Sequence, residues 1–215
     1  MKRPVIAVFL ALEAGLYAAF LTLDARGSAG ADVGLTYAGI LLCLAFSALC
    51  ALRGGDRLTP IALALTAAAD SLLLVADSRY ALGVLIFLGA QSVYLIRLRR
   101  ASGRTFYALR LLLPLAAGVL LYALGEASPL NLLAGLYFSQ LVCNAVIAWT
   151  LRTRPFRVLA AGLTLFICCD LCVGAFNAPG LAGAGLWRAA SFGMWLFYLP
   201  SQVLIALSAL PEKED

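Results

Sequence analysis

The groups with chemistry to offer in this chain are two aspartates one hundred positions apart. Asp70 follows the run Leu65-Thr66-Ala67-Ala68-Ala69 and precedes Ser71-Leu72-Leu73-Leu74-Val75. Asp170 closes the run Gly162-Leu163-Thr164-Leu165-Phe166-Ile167-Cys168-Cys169. A carboxyl group inside a long apolar run is costly and marks a functional site by default. Low dielectric favours a neutral carboxylic acid over a carboxylate. Of two carboxyl groups sharing a site, one can hold a proton to donate while its ionised partner activates water. That pair is equipped for acid-catalysed hydrolysis of an ether-like bond. The competing reading is structural: each aspartate is hydrogen-bonded to a tyrosine, serine or amide and locks helix packing.

Other polar residues stand inside apolar runs. Thr59, Thr66, Asp70 and Asp77 fall near one face of a single helix. Tyr37, Gln91, Tyr94, Gln140, Asn144, Tyr198 and Gln202 complete the set expected to point inward. The chain has no histidine, which removes histidine triads, imidazole proton shuttles and the usual imidazole metal sites. The six cysteines all lie in apolar runs and read as small packing residues. Cys168 and Cys172 share a helix face, but two thiols alone are a poor metal site. No metal and no cofactor is expected.

These groups need a scaffold, and composition names its class. Apolar residues make up 63% of the chain and charged ones 13%, against roughly 45–50% and 25% in an ordinary soluble domain. The apolar runs are continuous and do not alternate, which argues against a β-barrel. The expected fold is all-α: one integral membrane domain over residues 1–215 with eight transmembrane helices. The spans are Pro4–Leu23, Val33–Leu52, Leu58–Ala76, Tyr80–Leu98, Thr105–Leu124, Pro129–Leu151, Phe156–Phe176 and Leu186–Leu210. Lys2, Arg3, the first apolar run and Ala29-Gly30-Ala31 imitate a signal peptide, but the run is long and holds Glu13, so the first helix is expected to be retained. Glu13 faces either the bundle interior or a basic partner near the interface.

Orientation follows from basic residues. One side receives Lys2, Arg3, Arg53, Arg57, Arg97, Arg99, Arg100, Arg104, Arg110, Arg152, Arg154, Arg157 and Lys213; the other receives Arg26, Arg79 and Arg188. Both termini are therefore expected in the cytoplasm of a multi-pass protein of the cell membrane. The positive charge flanks apolar runs, so it is not a nucleic-acid signal. The chain also repeats itself. Arg57, Leu63, Leu65 and Asp70 match Arg157, Leu163, Leu165 and Asp170 at one offset, as Asp77 matches Asn177; Gly83 and Phe87 match Gly193 and Phe197 after a longer loop. Two parallel four-helix repeats, approximately 1–100 and 101–215, follow. Each aspartate then lies about a dozen residues, roughly 18 Å, from the basic side, so both sit at one depth.

The pattern Gly83-x-x-x-Phe87-x-x-Ala90-Gln91-x-x-Tyr94 after an Asp-bearing span resembles the YhhN-like lysoplasmalogenase family. So do Gly162-x-x-x-Phe166-x-x-x-Asp170 and Tyr198-x-x-x-Gln202-x-Leu204-Ile205. The resemblance implies an integral membrane hydrolase that cleaves the vinyl ether bond of a lysoplasmalogen to a fatty aldehyde and a glycerophospho-headgroup. It implies a lysophospholipid substrate, with membrane lipid the other partner. By position, Asp70 matches the Asp of the family's Gly-Asp pair, with Ala69 for Gly, and Asp170 that of its Ser-Asp pair, with Cys169 for Ser. Gln91 stands where the family usually has histidine, and Thr36-Tyr37 where it has Lys-Pro. The resemblance makes Asp70 and Asp170 the catalytic candidates, with Gln91, Tyr94, Tyr198, Gln202 and Tyr37 around the substrate. Parallel repeats with midplane polar groups also describe transporters. A non-catalytic lipid or small-molecule carrier is thus the alternative, although no span reads as broken apart from Pro200 late in the eighth.

Overall fold

The computed structural model describes residues 3–24, 31–177 and 184–211. Lys2, Arg26, Lys213, the Ala29-Gly30 pair and most of the longer loop after Ala178 lie outside the described residues. Among those described, the chain forms eight α-helices and no strand: α1 Arg3–Asp24, α2 Ala31–Leu52, α3 Leu58–Asp70, α4 Tyr80–Ser102, α5 Tyr107–Ala123, α6 Pro129–Thr150, α7 Arg154–Asn177 and α8 Ala184–Leu207. Seven are long and apolar enough to cross a membrane, α3 together with the turn that follows it. The fifth expected span, Thr105–Leu124, is shorter: α5 has 17 residues and rises ~25 Å. Phe106 (φ 47°) and Gly125 (φ 75°) take left-handed conformations that bound it.

Local chemistry sets the other ends. The Asp56 carboxylate accepts from the Thr59 amide (2.7 Å) and hydroxyl (2.6 Å), capping the start of α3. The Ser128 hydroxyl accepts from the Asn131 amide (3.1 Å), and Pro129 takes the first turn of α6, where no N–H is needed. Arg79 (φ 52°) precedes α4, and Gly103 (φ 65°) ends it by donating to Arg99 O (2.8 Å). Two prolines lie beyond the first turn of their helices, Pro114 in α5 and Pro200 in α8. Each removes a donor from the carbonyl four residues earlier. Neighbouring helices replace it: Gln140 Nε2 donates to Arg110 O (3.4 Å), and the Tyr17 hydroxyl to Leu196 O (3.2 Å). An interior that excludes water requires such substitutes.

The third span is not the unbroken α-helix expected from Leu58 to Ala76. After Asp70 it widens into a π-helical turn, Ser71–Val75, closed by Ala76 N–H to Ser71 O (2.9 Å). This turn carries Asp77 off the α3 face. Asp77 is exposed at φ 43° and accepts from the Tyr80 hydroxyl (2.6 Å), whereas Thr59, Thr66 and Asp70 are buried. The expected four-residue stripe therefore ends at Asp70.

Consecutive helices pack together except α4 and α5, and α4 meets α6, α2 meets α8, and α3 meets α8 across the bundle. Helices α1 and α5 are peripheral. The first packs on α2 and sends Tyr17 and Phe20 to α8; the second packs on α6 and buries only Arg110. Tight approach is built in at Gly162, where a Cβ would lie 2.9 Å from Ile205 Cγ1 and 3.1 Å from Ser201 O on α8. Glu13 faces inward, 3% exposed, and accepts from the Cys43 thiol (3.1 Å).

Candidate functional site

Asp70 is the last residue of α3 before the π turn and is 2% exposed. Its Oδ2 accepts a hydrogen bond from the Tyr198 hydroxyl of α8. Asp170, on α7, is partly buried as a residue, but its Oδ2 is fully enclosed and has no hydrogen-bond partner. The Tyr137 hydroxyl of α6 faces this carboxyl, likewise without a hydrogen bond of ordinary geometry. The two carboxyl groups are close enough to interact electrostatically, and the Cys169 thiol lies within range of both. Four helices thus contribute one polar group each to a common region.

Aromatic rings hold this region in shape. Phe87 of α4 packs against Tyr137 (centroids 5.6 Å) and, edge-on, against Phe166 (5.8 Å), one turn before Asp170. Phe166 meets the Tyr198 ring at 5.5 Å, and Trp195 meets it at 6.5 Å. The rings fix both hydroxyls and leave them as donors in a water-poor setting.

One turn nearer the basic end, ~6 Å along the helices, lies an amide layer. Gln91 (1% exposed) and Gln202 (0%) occupy α4 and α8, and Thr66 occupies α3. Gln91 Oε1 accepts from Asn144 Nδ2 (3.0 Å), whose Oδ1 accepts from Arg110 (2.6 Å). Arg110 also donates to Gln140 Oε1 (2.6 Å) and Thr105 O (2.9 Å). Gln202 donates to Ser201 Oγ (3.1 Å). Gln91 Nε2, Gln202 Oε1 and Thr66 Oγ1 have no partner among the described residues. Buried polar groups normally find one, so unused hydrogen-bonding capacity is concentrated along this axis.

The remaining candidates stand apart. Tyr94 is buried, with its hydroxyl unpartnered, but it lies beside Arg97 and Asp56, nearer the basic end than the aspartates. Tyr37 is partly buried and donates to Ala67 O (3.5 Å), beside Asp70 on α3. Tyr137 escaped the sequence reading. Its signal was present: it follows Tyr37 by the same one hundred positions that separate Asp170 from Asp70. Arg110 and Arg97, read only as orienting charges, are buried network members. Among the described residues, no three acidic or thiol groups converge as a metal site requires.

This arrangement offers two enclosed carboxyl groups, each faced by a phenol, with amides one turn away. It can hold a proton, a compensating negative charge and an oriented small molecule together. The model of the YhhN family matches residues 34–209, which span nearly all of α2 through α8 and include both aspartates. Neither curated proteins nor solved structures give a match. The match covers most of the chain, and the chain belongs to the YhhN family, which includes lysoplasmalogenases.

Proposed function

We propose that the protein is a membrane hydrolase of the lysoplasmalogenase type, with Asp70 and Asp170 as its working pair. The observation that carries this reading is the convergence of the two buried carboxyl groups with Tyr137 and Tyr198 in a family that includes such hydrolases. Cleavage of a vinyl ether needs an acid, a counter-charge and water. The acid gives its proton to the vinyl carbon distal to oxygen, and positive charge develops on the carbon bearing oxygen. The second carboxylate stabilises that cation electrostatically. Water adds to the cationic carbon and loses a proton to a carboxylate. The resulting hemiacetal breaks its bond to the glycerol oxygen, which takes a proton, and the fatty aldehyde departs.

Asp70, already accepting from Tyr198, supplies the counter-charge. Asp170, whose Oδ2 is unpartnered, supplies the proton. Gln91 Nε2 and Gln202 Oε1 orient water or the leaving oxygen. Gln91 is an amide and carries no proton between partners. Substrate enters sideways from the bilayer, where its chain is already dissolved.

The same reading includes an eight-span topology with α5 as a short crossing, both ends cytoplasmic, and two parallel halves. Helix packing supports the halves: replacing α1, α2, α3 and α4 by α5, α6, α7 and α8 exchanges the α1–α2, α2–α3, α3–α4 and α2–α8 contacts for α5–α6, α6–α7, α7–α8 and α6–α4. The matched glycines agree, since a Cβ on Gly83 would strike Leu73 Cγ at 2.6 Å and one on Gly193 would strike Cys172 Sγ at 2.7 Å. Reporter fusions after Leu52 and after Leu98 should both read cytoplasmic; a signal from the opposite side at either position contradicts this topology.

The π turn directly after Asp70 favours a second reading, because broken helices at a midplane polar site also belong to transporters. One experiment separates the two. Purified protein is incubated with vinyl ether and ester lysolipids and products are assayed by mass. The hydrolase reading expects aldehyde from the vinyl ether lipid alone. No aldehyde, together with ligand flux in liposomes, selects the carrier.

A further inference from the structure

A second feature lies at the basic end, away from the aspartates. Arg152, Arg154 and Arg157 rim an open groove of ≈ 340 Å³ whose floor is Val158, Ala161 and Leu204. Arg152 lies in the α6–α7 turn. Arg154, Arg157, Val158 and Ala161 follow at three- and four-residue spacing on α7, and Leu204 reaches in from α8. All three arginines are exposed. Among the described residues the one ion pair joins Arg97 to Asp56, so none of these arginines meets a carboxylate. The groove also lies at the N-terminus of a 24-residue helix, whose dipole favours an anion there.

We infer that this groove binds the phosphodiester headgroup of an anionic phospholipid, with an acyl chain lying over Val158, Ala161 and Leu204. Charge complementarity and position select the occupant. Basic pockets between membrane helices on this side take anionic headgroups. A floor of half-buried Val158, Ala161 and Leu204 suits a molecule that is half hydrocarbon and does nothing for a free ion. The guanidinium fork matches phosphate geometry better than an ammonium. The lipid held here is not one poised for cleavage at the aspartates. Arg157 precedes Asp170 by thirteen residues on α7, which is ~20 Å along the axis, whereas only a few bonds separate phosphate from ether in a lysolipid. The inference therefore stands apart from the hydrolase reading.

The test uses the full chain in detergent, titrated with dioleoyl phosphatidylglycerol or dioleoyl phosphatidylcholine, with bound lipid counted by native mass spectrometry. The parent should retain phosphatidylglycerol preferentially. Each arginine near a membrane surface contributes roughly fivefold to such binding. The Arg152→Gln/Arg154→Gln/Arg157→Gln variant should therefore lose the preference by more than about tenfold, and Arg154→Gln alone should lose part of it should the triple variant fold poorly. Removing equal charge elsewhere, with Arg99→Gln/Arg100→Gln/Arg104→Gln, should leave the preference in place. Retention of the preference by both groove variants, or equal loss in the control variant, overturns the inference. Displacement by an equal concentration of inorganic phosphate assigns the groove to a free ion and also overturns it. So does a preference that emerges only when Glu212, Glu214 and Asp215 are neutralised, which would make the chain's own acidic tail the occupant.

Discussion

Two buried charged centres divide this bundle, and they are built in opposite ways. At the basic end, Asp56 Oδ2 accepts from the Thr59 amide, the Thr59 hydroxyl and Arg97 Nε (3.1 Å). Arg97 then donates to Ser208 Oγ (2.7 Å) and Ser208 O (2.6 Å), and its guanidinium lies 5.3 Å from the Phe156 ring centroid. That cluster ties the α2–α3 turn, α4, the start of α7 and the end of α8 with every nitrogen of the Arg97 guanidinium engaged, and leaves the Tyr94 hydroxyl beside it unpartnered. At the aspartate centre, Asp170 Oδ2, the Tyr137 hydroxyl, Gln91 Nε2 and Gln202 Oε1 are enclosed but unpartnered. A buried charge that is fully paired fixes helices. One left with open hydrogen-bonding capacity has room for a polar visitor, which is the role proposed for the aspartate pair.

The largest expected effect breaks the second centre. Asp70→Asn keeps volume and some hydrogen bonds but removes the charge, and should lower turnover by roughly 10²–10³-fold. The double variant Asp70→Asn/Asp170→Asn should fall little further, because the pair acts as a unit. Aldehyde release per folded molecule reads both; independent, multiplying losses would separate the two roles.

Breaking the first centre should do the reverse. Arg97→Met leaves Asp56 and Ser208 without their guanidinium and should cost about 2–4 kcal/mol of stability, somewhat below the cost of breaking a fully enclosed pair because Asp56 is partly exposed. Thermal unfolding in detergent measures the loss, and turnover per folded molecule should stay near the parent value. A variant of parental stability with no turnover would move Arg97 into the site.

The two tyrosines sharpen the contrast within the aspartate centre. Tyr198→Phe removes the donor to Asp70 and should cost about 1–3 kcal/mol of stability along with activity. Tyr137→Phe removes a hydroxyl that faces Asp170 without a hydrogen bond of ordinary geometry, so stability should change by less than about 1 kcal/mol while turnover falls by roughly tenfold. Equal losses of stability in the two variants would make both phenols structural.

Much of this was legible in the sequence, for identifiable reasons. Apolar runs long enough to cross a bilayer give membrane helices whatever their partners, and Asp70 and Asp170 stood out because carboxyl groups are rare in such runs. The one hundred-position offset put them in the third and seventh expected spans, and they lie on α3 and α7. Partner choice was not legible. Arg97 and Arg110 sit among loop-flanking basic residues, and charge counting cannot separate a snorkelling arginine from one that turns inward. Glu13 was open between interior and interface, and its partner, Cys43, looked like packing. The π turn at Ser71–Val75 left no pattern, because Leu and Val serve α and π geometry alike. Tyr137 was overlooked because a tyrosine in an apolar helix is ordinary.

The smallest effect concerns Gln91. Its Oε1 is held by Asn144 and its Nε2 is unpartnered, so it positions without carrying protons. Gln91→His should leave turnover within a few-fold of the parent and add a pH dependence near neutrality. A rate profile from pH 5 to pH 9 reads this; a large gain at every pH would mean that the amide limits proton transfer.

The most direct test of the contrast is turnover by Asp170→Asn on a vinyl ether lysolipid, measured as aldehyde released per correctly folded molecule, with the melting temperature taken on the same preparation. The account predicts turnover near background and a melting temperature close to the parent's, because the Asp170 carboxyl holds no ordinary hydrogen bond in the fold. Turnover within a few-fold of the parent, or a loss that follows the melting temperature, would contradict it and return the aspartate pair to a packing role.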